Sequence, residues 1–494
     1  MFNAKLSIVL AGTWLAALSG TSCNDSKKDG PADSGVATAV DGGSADRQAD
    51  SNGEGTTLTL DVTNIGARYS GAFLYVSVTA GAISCSGVTG PSEHTGVGMV
   101  VAGECKVTIG PLAAGTYTAC AFVDEDGDLQ PSPGDLVGQL SLDVSGDDNE
   151  NWSATEWLVI DGSTDPTPIA GPYKVGYREI ILTDSTRGRS LTTAFWYPTV
   201  DGQAGATRAV DNGTPDLSGR PYPLIVYSHG DCSRSTNGQA DFLKNAWAAQ
   251  GFVVVAPDHK GNTSYDCDDA VRASIQFDRP LDVRFVTDQA LLLAADASSF
   301  LSGMVDPSAI GVSGHSFGGH TTVMVAGATP NLDYLAAYCE VNPDSWDICP
   351  LQDKLQQLYP GQRVIDVSDP RMKAALALAP DGYGWFLADG MAKIKKPMMI
   401  MAGRLDTTCP LDSQAMPEYQ GLVSTRYLFI MDKADHMAYA NQCSQSTFQD
   451  CPALHQQITT VSIDFWNLHL KSDLQAIDVL HQYVSAHPDT TLLE

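Results

Sequence analysis

Between residues 57 and 162 apolar and polar side chains alternate in short runs: "TLTLDVTNI", "AFLYVSVTAG", "GVGMVVAG", "CKVTIGPL", "GTYTACAFVDEDGD", "QLSLDVSG" and "ATEWLVIDG". A period of two puts every second side chain on one face of an extended chain, and Gly, Pro and Asp punctuate the runs, so this stretch predicts a small β-sandwich. Beyond the linker "STDPTPIAGP" the rhythm changes. A β pair ("YREIILTD", "TTAFWYP") leads to the strand "YPLIVYSHG", a helix pattern at "QADFLKNAWAAQG", the strand "FVVVAPD", a helix at "DVRFVTDQALLLAADASSFL" and the strand "SAIGVSG". A helix from Phe317, the strands "MKAALALAP" and "KPMMIMAG", a helix near "QAMPEYQGL", the strand "TRYLFIMD" and two closing helices complete the series. Continuous apolar runs alternating with helices specify an α/β fold, a mostly parallel sheet covered on both faces. The expected domains are a sandwich over 57–162 and an α/β domain over 163–494. Within the latter, 329–371 is too long for a simple connection. With Leu335, Tyr338 and Trp346 and a Cys339 to Cys349 staple, this insertion can form a lid over a hydrophobic pocket or decorate the surface.

Length agrees with this division, since 494 residues exceed what one hydrophobic core organises. The N-terminus, "MFNAKLSIVLAGTWLAALSGTSC", has a lysine, a short apolar run and then small residues, the order of an export signal. Cys23 closes it and resembles the lipid-modified cysteine of bacterial lipoproteins, although Gly20 stands where leucine is usual; a plain signal peptide is the alternative. Residues 24–56 hold almost nothing to bury and have the composition of a disordered tether. The expected address is extracytoplasmic, either as an outer-membrane or cell-surface lipoprotein or in the medium. A formal net charge of -29 excludes nucleic acid and anionic membrane surfaces as partners. Membrane association would then come only through the N-terminal lipid, and the chain is expected to act as a monomer. Export permits disulfides, and spacing suggests Cys232 with Cys267, Cys339 with Cys349, and Cys443 with Cys451. No cysteine sits in C-x-x-C, which argues against zinc or redox duty.

Chemistry concentrates at "GVSGHSFGG". Gly314, His315, Ser316, Phe317 and Gly318 form G-x-S-x-G between an apolar strand and a helix pattern. A serine on so sharp a turn needs glycines on either side, because side chains there would clash. A serine hydroxyl also needs a base and an orienting carboxylate, which such a sheet supplies after later strands. Asp406 follows "KPMMIMAG" and His436 follows "TRYLFIMD", in the required order Ser, Asp, His. Asp381, after "MKAALALAP", is the alternative acid. The oxyanion hole would use the amides of Phe317 and, from the loop after "YSHG", of Asp231, with Gly230 shaping that loop. An acidic side chain at 231 would oppose an oxyanion unless it points away. In the small domain, "DEDGDLQPSPGD" gathers Asp124, Asp126, Asp128 and Asp135, either a calcium-binding turn or a solvated acidic hairpin. The catalytic chemistry itself asks for no cofactor.

From about Gly171 to Leu470 these motifs, with "GPYKVGYREIILTDSTRGRSLTTAFWYP", "QGFVVVAPDH", "DRPLDVRFVTDQ" and "GHSFGGHT", make the chain resemble bacterial α/β-hydrolases of the platelet-activating-factor acetylhydrolase and dienelactone-hydrolase-like group. Polyester hydrolases and chlorophyllases are more distantly similar. The resemblance implies an α/β-hydrolase fold and hydrolysis of a carboxylic ester, such as a short or oxidised acyl chain on a phospholipid. Dienelactone hydrolases use a cysteine nucleophile, so Ser316 argues against their substrate. In the mammalian acetylhydrolases the acid stands where Asp381 stands here, which keeps both carboxylates in play. The sandwich and tether lie outside the resemblance. Two other readings are an inert, calcium-binding surface protein and a peptidase of the same fold. The retained Ser316 and His436 argue against the first, and an N-terminal region too short for a propeller argues against the second.

Overall fold

The computed structural model describes residues 56–66, 69, 71–80, 94–124, 136–145, 148–154, 157–159, 170–203, 206, 209–235, 240–341, 349–441, 443 and 451–494. The chain divides into two compact units, Met1–Gly162 and Ser163–Glu494.

In the first unit the strands are β1 (Thr56–Thr63), β2 (Phe73–Ala80), β3 (His94–Met99), β4 (Cys105–Leu112), β5 (Gly115–Asp124), β6 (Leu136–Val144), β7 (Asp148–Ser153) and β8 (Leu158–Val159). They form two sheets, in the orders β4-β1-β7 and β3-β2-β5-β6-β8. Alternation does what the sequence pattern requires: Leu58, Leu60 and Val62 of β1 share one core with Leu74, Val76 and Val78 of β2 and with Ala119, Ala121 and Val123 of β5. β7, "DNENWS", has no apolar alternation and was not expected as a strand. It is held by parallel pairing along β1, from Leu58 opposite Asp148 to Thr63 opposite Ser153, so backbone hydrogen bonds define it. Asp124 ends β5 and is buried, while Asp126, Asp128 and Asp135 lie outside the described residues, as do Cys23 and Trp346.

The second unit is built on β9 (Lys174–Asp184), β10 (Arg189–Thr199), β11 (Val210–Asp211), β12 (Tyr222–Ser228), β13 (Val253–Pro257), β14 (Val305–His315), β15 (Met372–Leu378), β16 (Met398–Gly403), β17 (Arg426–Met431) and β18 (Thr490–Leu493). They make one sheet in the order β11-β9-β10-β13-β12-β14-β15-β16-β17-β18. The six neighbours from β13 to β17 run parallel. Consecutive residues feed opposite faces: Leu224 and Val226 of β12 enter one core, Ile225 and Tyr227 the other. Helices α1 (Asp241–Ala249), α2 (Arg272–Ala295), α3 (Phe317–Ala326), α4 (Leu332–Val341), α5 (Gln352–Leu358), α6 (Tyr383–Met391), α7 (Ala415–Gly421), α8 (Cys451–Leu470) and α9 (Ala476–Ala486) cover the faces. No described helix is long and apolar enough to cross a membrane.

Three details depart from the sequence pattern. α2 begins at Arg272, well before Asp282, and runs through Pro280; a proline usually marks a helix boundary, which hid the first turns. α6, interrupted at Leu387 and carrying Gly384 and Gly390, and the four-residue β18 show no period of their own. In the insertion, Leu335, Leu355 and Ile365 join the main core. Its base is closed by the Leu332 amide donating to Arg363 O at 2.8 Å. The three expected disulfides, Cys232–Cys267, Cys339–Cys349 and Cys443–Cys451, all form, with Cα separations of 5.2, 5.6 and 5.7 Å.

Candidate active site

The carboxyl ends of β12, β14, β15, β16 and β17 lie side by side, so the loops that leave them meet. β14 runs straight into Ser316, which adopts φ 57° and ψ -119° before α3 begins. A positive φ at a residue other than glycine stores roughly 1–3 kcal/mol of strain. That turn is held by the Ser316 amide donating to Leu378 O at 2.9 Å and by the His320 amide donating to Ser316 O at 3.0 Å. A Cβ on Gly318 would land on the carbonyl oxygen of Ser228, and one on Gly314 would meet the carbonyls of Gly318 and Ser228. Both motif glycines therefore exist because α3 and β12 touch backbone to backbone. As the first residue of α3, Phe317 presents an amide with no partner inside the helix, the ordinary basis of anion binding at a helix start.

Asp406 and His436 come from the next two loops. Gly403 lets these loops approach, since a Cβ there would strike the carbonyl of Ala434, and the Leu405 amide donates to that same carbonyl at 3.0 Å. Asp406 Oδ1 accepts from the amides of Thr408 (2.9 Å) and Cys409 (2.7 Å). Its Oδ2 accepts from His436 Nδ1 at 2.8 Å. Asp435 accepts from the Met437 amide at 2.8 Å and so caps the short turn that carries His436. His315, next to the serine, donates from Nε2 to His436 O at 2.9 Å and packs against its ring at a centroid distance of 4.7 Å. Burial, and secondarily the neighbouring His436, keep His315 well below the usual histidine range, so it is neutral. The His436 side chain is 12% exposed and that of Asp406 2%. The imidazole is thus reachable from solvent while its carboxylate is not, and a proton on Nδ1 leaves Nε2 as an acceptor.

Asp381, the alternative acid, is not the group bonded to His436 Nδ1. It lies in the field of Arg279 and of Glu418, a fully buried carboxyl held well above its usual range by burial first and by Asp381 second. The structure brings Ser316, His436 and Asp406 to one sheet end and leaves Asp381 beside them in a separate polar cluster.

Asp231 stands in the loop after β12, and its carboxylate is turned toward the start of α2. Arg272 donates to Oδ2 at 2.6 Å and Asn262 to Oδ1 at 2.8 Å. This removes the objection that an acid at 231 would repel an oxyanion. Cys232–Cys267 ties the same loop to the segment that precedes α2.

Sequence reasoning missed a second Ser-His-Asp arrangement below this site. His259, at the end of "FVVVAPDH", places Nε2 2.9 Å from Ser228 Oγ and Nδ1 3.1 Å from Asp282 Oδ2. Arg189 grips Asp282 at 2.9 and 2.7 Å. Ser228, His259 and Asp282 are all 0% exposed, so no substrate reaches that hydroxyl. Burial first, then Arg279, Arg189 and Arg187, keep His259 neutral. The signal that could have found it is a histidine directly after a buried strand. A cleft of about 650 Å³, lined by Tyr222, Asp306, Lys373 and Lys471, opens at the amino ends of the strands, away from Ser316.

The architecture and the serine turn together define an α/β-hydrolase fold. Comparison with known proteins agrees: the profile of the prolyl oligopeptidase family matches residues 239–451. Cutinase 2 of Thermobifida cellulosilytica is 28% identical over 220 residues, 44% of this chain and 61% of that relative. Cutinase cut1 of Thermobifida fusca is 28% identical over 220 residues, 44% of this chain and 50% of the relative. The chain thus spans 50% to 61% of the length of these curated relatives. Among solved structures, a ferulic acid esterase from Streptomyces cinnamoneus aligns with a TM-score of 0.46 at 17% identity, covering 67% of this chain and 100% of its own.

Proposed function

We propose that the protein is a serine hydrolase of carboxylic esters. The observation that carries this is the 2.8 Å bond from His436 Nδ1 to Asp406, assembled from the loops after β16 and β17 beside the strained Ser316 turn. Ser316 Oγ attacks the ester carbonyl while His436 Nε2 takes its proton, and Asp406 stabilises the imidazolium. The tetrahedral oxygen is met by the amides of Phe317 and Asp231. Collapse expels the alcohol, protonated by His436, and leaves an acyl group on Ser316. Water, deprotonated by the same histidine, attacks the acyl carbonyl and frees the acid and the serine. Only protein groups and water take part.

Likeness to cutinases supports ester rather than amide substrates and extends the class from short or phospholipid acyl esters to polyesters. Disulfides fit an oxidising, extracytoplasmic address, with Cys23 as the lipid attachment point. Assay of the full chain on p-nitrophenyl esters from acetate to palmitate, a polyester film and a prolyl p-nitroanilide, with Ser316→Ala as control, tests this. Serine-dependent ester turnover is expected, with short chains favoured for the acetylhydrolase-like substrate and film erosion for the polyester one. Cleavage of the anilide alone would instead support the peptidase that the matching family profile names.

A further inference from the structure

Several oxygens of the strand end that precedes Asp231 converge on one guanidinium. Arg279, on α2 and 0% exposed, donates from Nη1 to Asn262 Oδ1 at 2.7 Å and to Gly230 O at 3.4 Å. Its Nη2 donates to Ser228 Oγ at 3.1 Å and to the carbonyl of His229. The guanidinium carbon lies 4.3 Å from the centroid of the Phe317 ring. One side chain therefore contacts Phe317 and the Gly230 carbonyl, whose peptide carries the Asp231 amide.

We propose that Arg279 is a positioning residue for the oxyanion site, fixing the plane of the Gly230–Asp231 peptide and seating Phe317 at the start of α3; this rests on the serine-hydrolase reading above. The peptide between Gly230 and Asp231 is trans, so its C=O and N–H point in opposite directions. The Gly230 carbonyl accepts from His229 Nδ1 at 2.7 Å as well as from Arg279. Drawing the oxygen toward these donors aims the Asp231 amide away from them, and any rotation of the plane breaks both bonds. A carbonyl polarised by a cation also makes its own amide a better donor. Asn262 joins the inner and outer supports of this loop, since its oxygen accepts from Arg279 while its nitrogen donates to Asp231 Oδ1 at 2.8 Å.

This gives the buried Ser228, His259 and Asp282 a use. With Nδ1–H directed to Asp282, His259 Nε2 accepts a hydrogen bond from the Ser228 hydroxyl, which leaves the lone pairs of Ser228 Oγ to accept from Arg279. The relay moves no proton in turnover; it holds the arginine in register.

The test compares full-length wild type with Arg279→Lys, Arg279→Met and Asn262→Ala. Readouts are kcat and KM on p-nitrophenyl butyrate, the Ki of a trifluoromethyl ketone, whose serine adduct carries an oxyanion, and the pH-rate profile. Removing one oxyanion donor costs about 10²–10³ in kcat. Arg279→Lys keeps the charge but cannot span the carbonyls, and is expected to lose about 10²-fold in kcat with KM within about threefold. The ketone Ki rises in proportion and the acid limb of the profile stays put, because His436 and Asp406 are untouched. Asn262→Ala follows in the same direction with a smaller loss, and supplies the answer should Arg279→Met fail to fold. Retention of kcat within about threefold by both Arg279→Lys and Asn262→Ala overturns the inference. So does a loss spread equally over kcat, KM and the pH profile, the mark of general damage. Wild-type turnover that survives Ser316→Ala overturns the hydrolase reading and this inference with it; a Ser316-dependent wild type with unaffected variants overturns this inference alone.

Discussion

Replacing Asp406 with asparagine isolates the orientation of His436. The two acceptor bonds at Oδ1, from the amides of Thr408 and Cys409 at 2.9 and 2.7 Å, decide which way the new side chain sits. Asparagine keeps its carbonyl oxygen on those amides, because turning it would set an NH2 group against two N–H donors. Its nitrogen then occupies the place of Oδ2, 2.8 Å from His436 Nδ1. A donor there requires Nδ1 to be the acceptor, which moves the imidazole proton to Nε2, the atom that must take the proton of Ser316. The base is thereby held in the wrong tautomer, an effect worth about 10⁴ in kcat in the trypsin-like case where it has been isolated. At 1.36 kcal/mol per decade this is about 5 kcal/mol of transition-state stabilisation. The assay is kcat and KM on p-nitrophenyl butyrate at the pH plateau for wild type, Asp406→Asn and Asp381→Asn. The expected result is a loss of about 10³–10⁴ in kcat for Asp406→Asn with KM little changed, against a change within about tenfold for Asp381→Asn. Asp406→Asn retaining more than a tenth of the rate, or Asp381→Asn losing as much, would refute the assignment.

Ser316→Ala should abolish both turnover and labelling by a fluorophosphonate while leaving thermal unfolding nearly unchanged. Ser228→Ala should keep the label but unfold at lower denaturant, since it strips an acceptor from buried Arg279 and a partner from His259, a loss of about 1–3 kcal/mol. Labelling lost in Ser228→Ala but kept in Ser316→Ala would reverse the two roles. Gly318→Ala drives a Cβ into backbone carbonyls of β12 and should cost about 2 kcal/mol or more by chemical denaturation, with activity falling alongside; a wild-type melt would show that this contact is not tight. Glu418 offers a pH test. Its folded pKa is raised by burial, so above the unfolded value of about 4.3 the folded protein retains a proton that the unfolded chain has released. Its contribution is intact below that value and is lost as pH rises, at about 1.4 kcal/mol per unit until the folded pKa is passed. Glu418→Gln should match wild type near pH 4 and exceed it at pH 8 in urea melts, and parallel curves would count against this.

Much of the candidate site was legible in the chain. G-x-S-x-G between an apolar strand and a helix placed Ser316, and strand counting placed Asp406 and His436 at neighbouring loops in the right order. Asp406 was the preferred acid and is the one bonded to His436, but Asp381 stayed open, since both follow parallel strands and spacing says nothing about which carboxylate faces a given imidazole. His259, Asp282 and Arg279 were missed because a buried strand end followed by a histidine, and an Arg-Pro pair inside a helix, carry no period. β7 was missed because its six residues are polar and owe their conformation to pairing with β1.

What the sequence alone determined is the material of the fold: a period of two in the first unit, continuous apolar runs between helices in the second, and glycines wherever backbones meet. These are local properties, since propensity and periodicity act over a few residues. What only the tertiary structure decided is partnership: Asp406 rather than Asp381 for His436, Arg272 and Asn262 to turn the Asp231 carboxylate aside, and burial to divide two Ser-His-Asp sets into one that solvent reaches and one sealed beneath the sheet end. Hydrogen bonds and burial depend on distances between residues far apart in the chain, and those distances exist only once the sheet has been assembled.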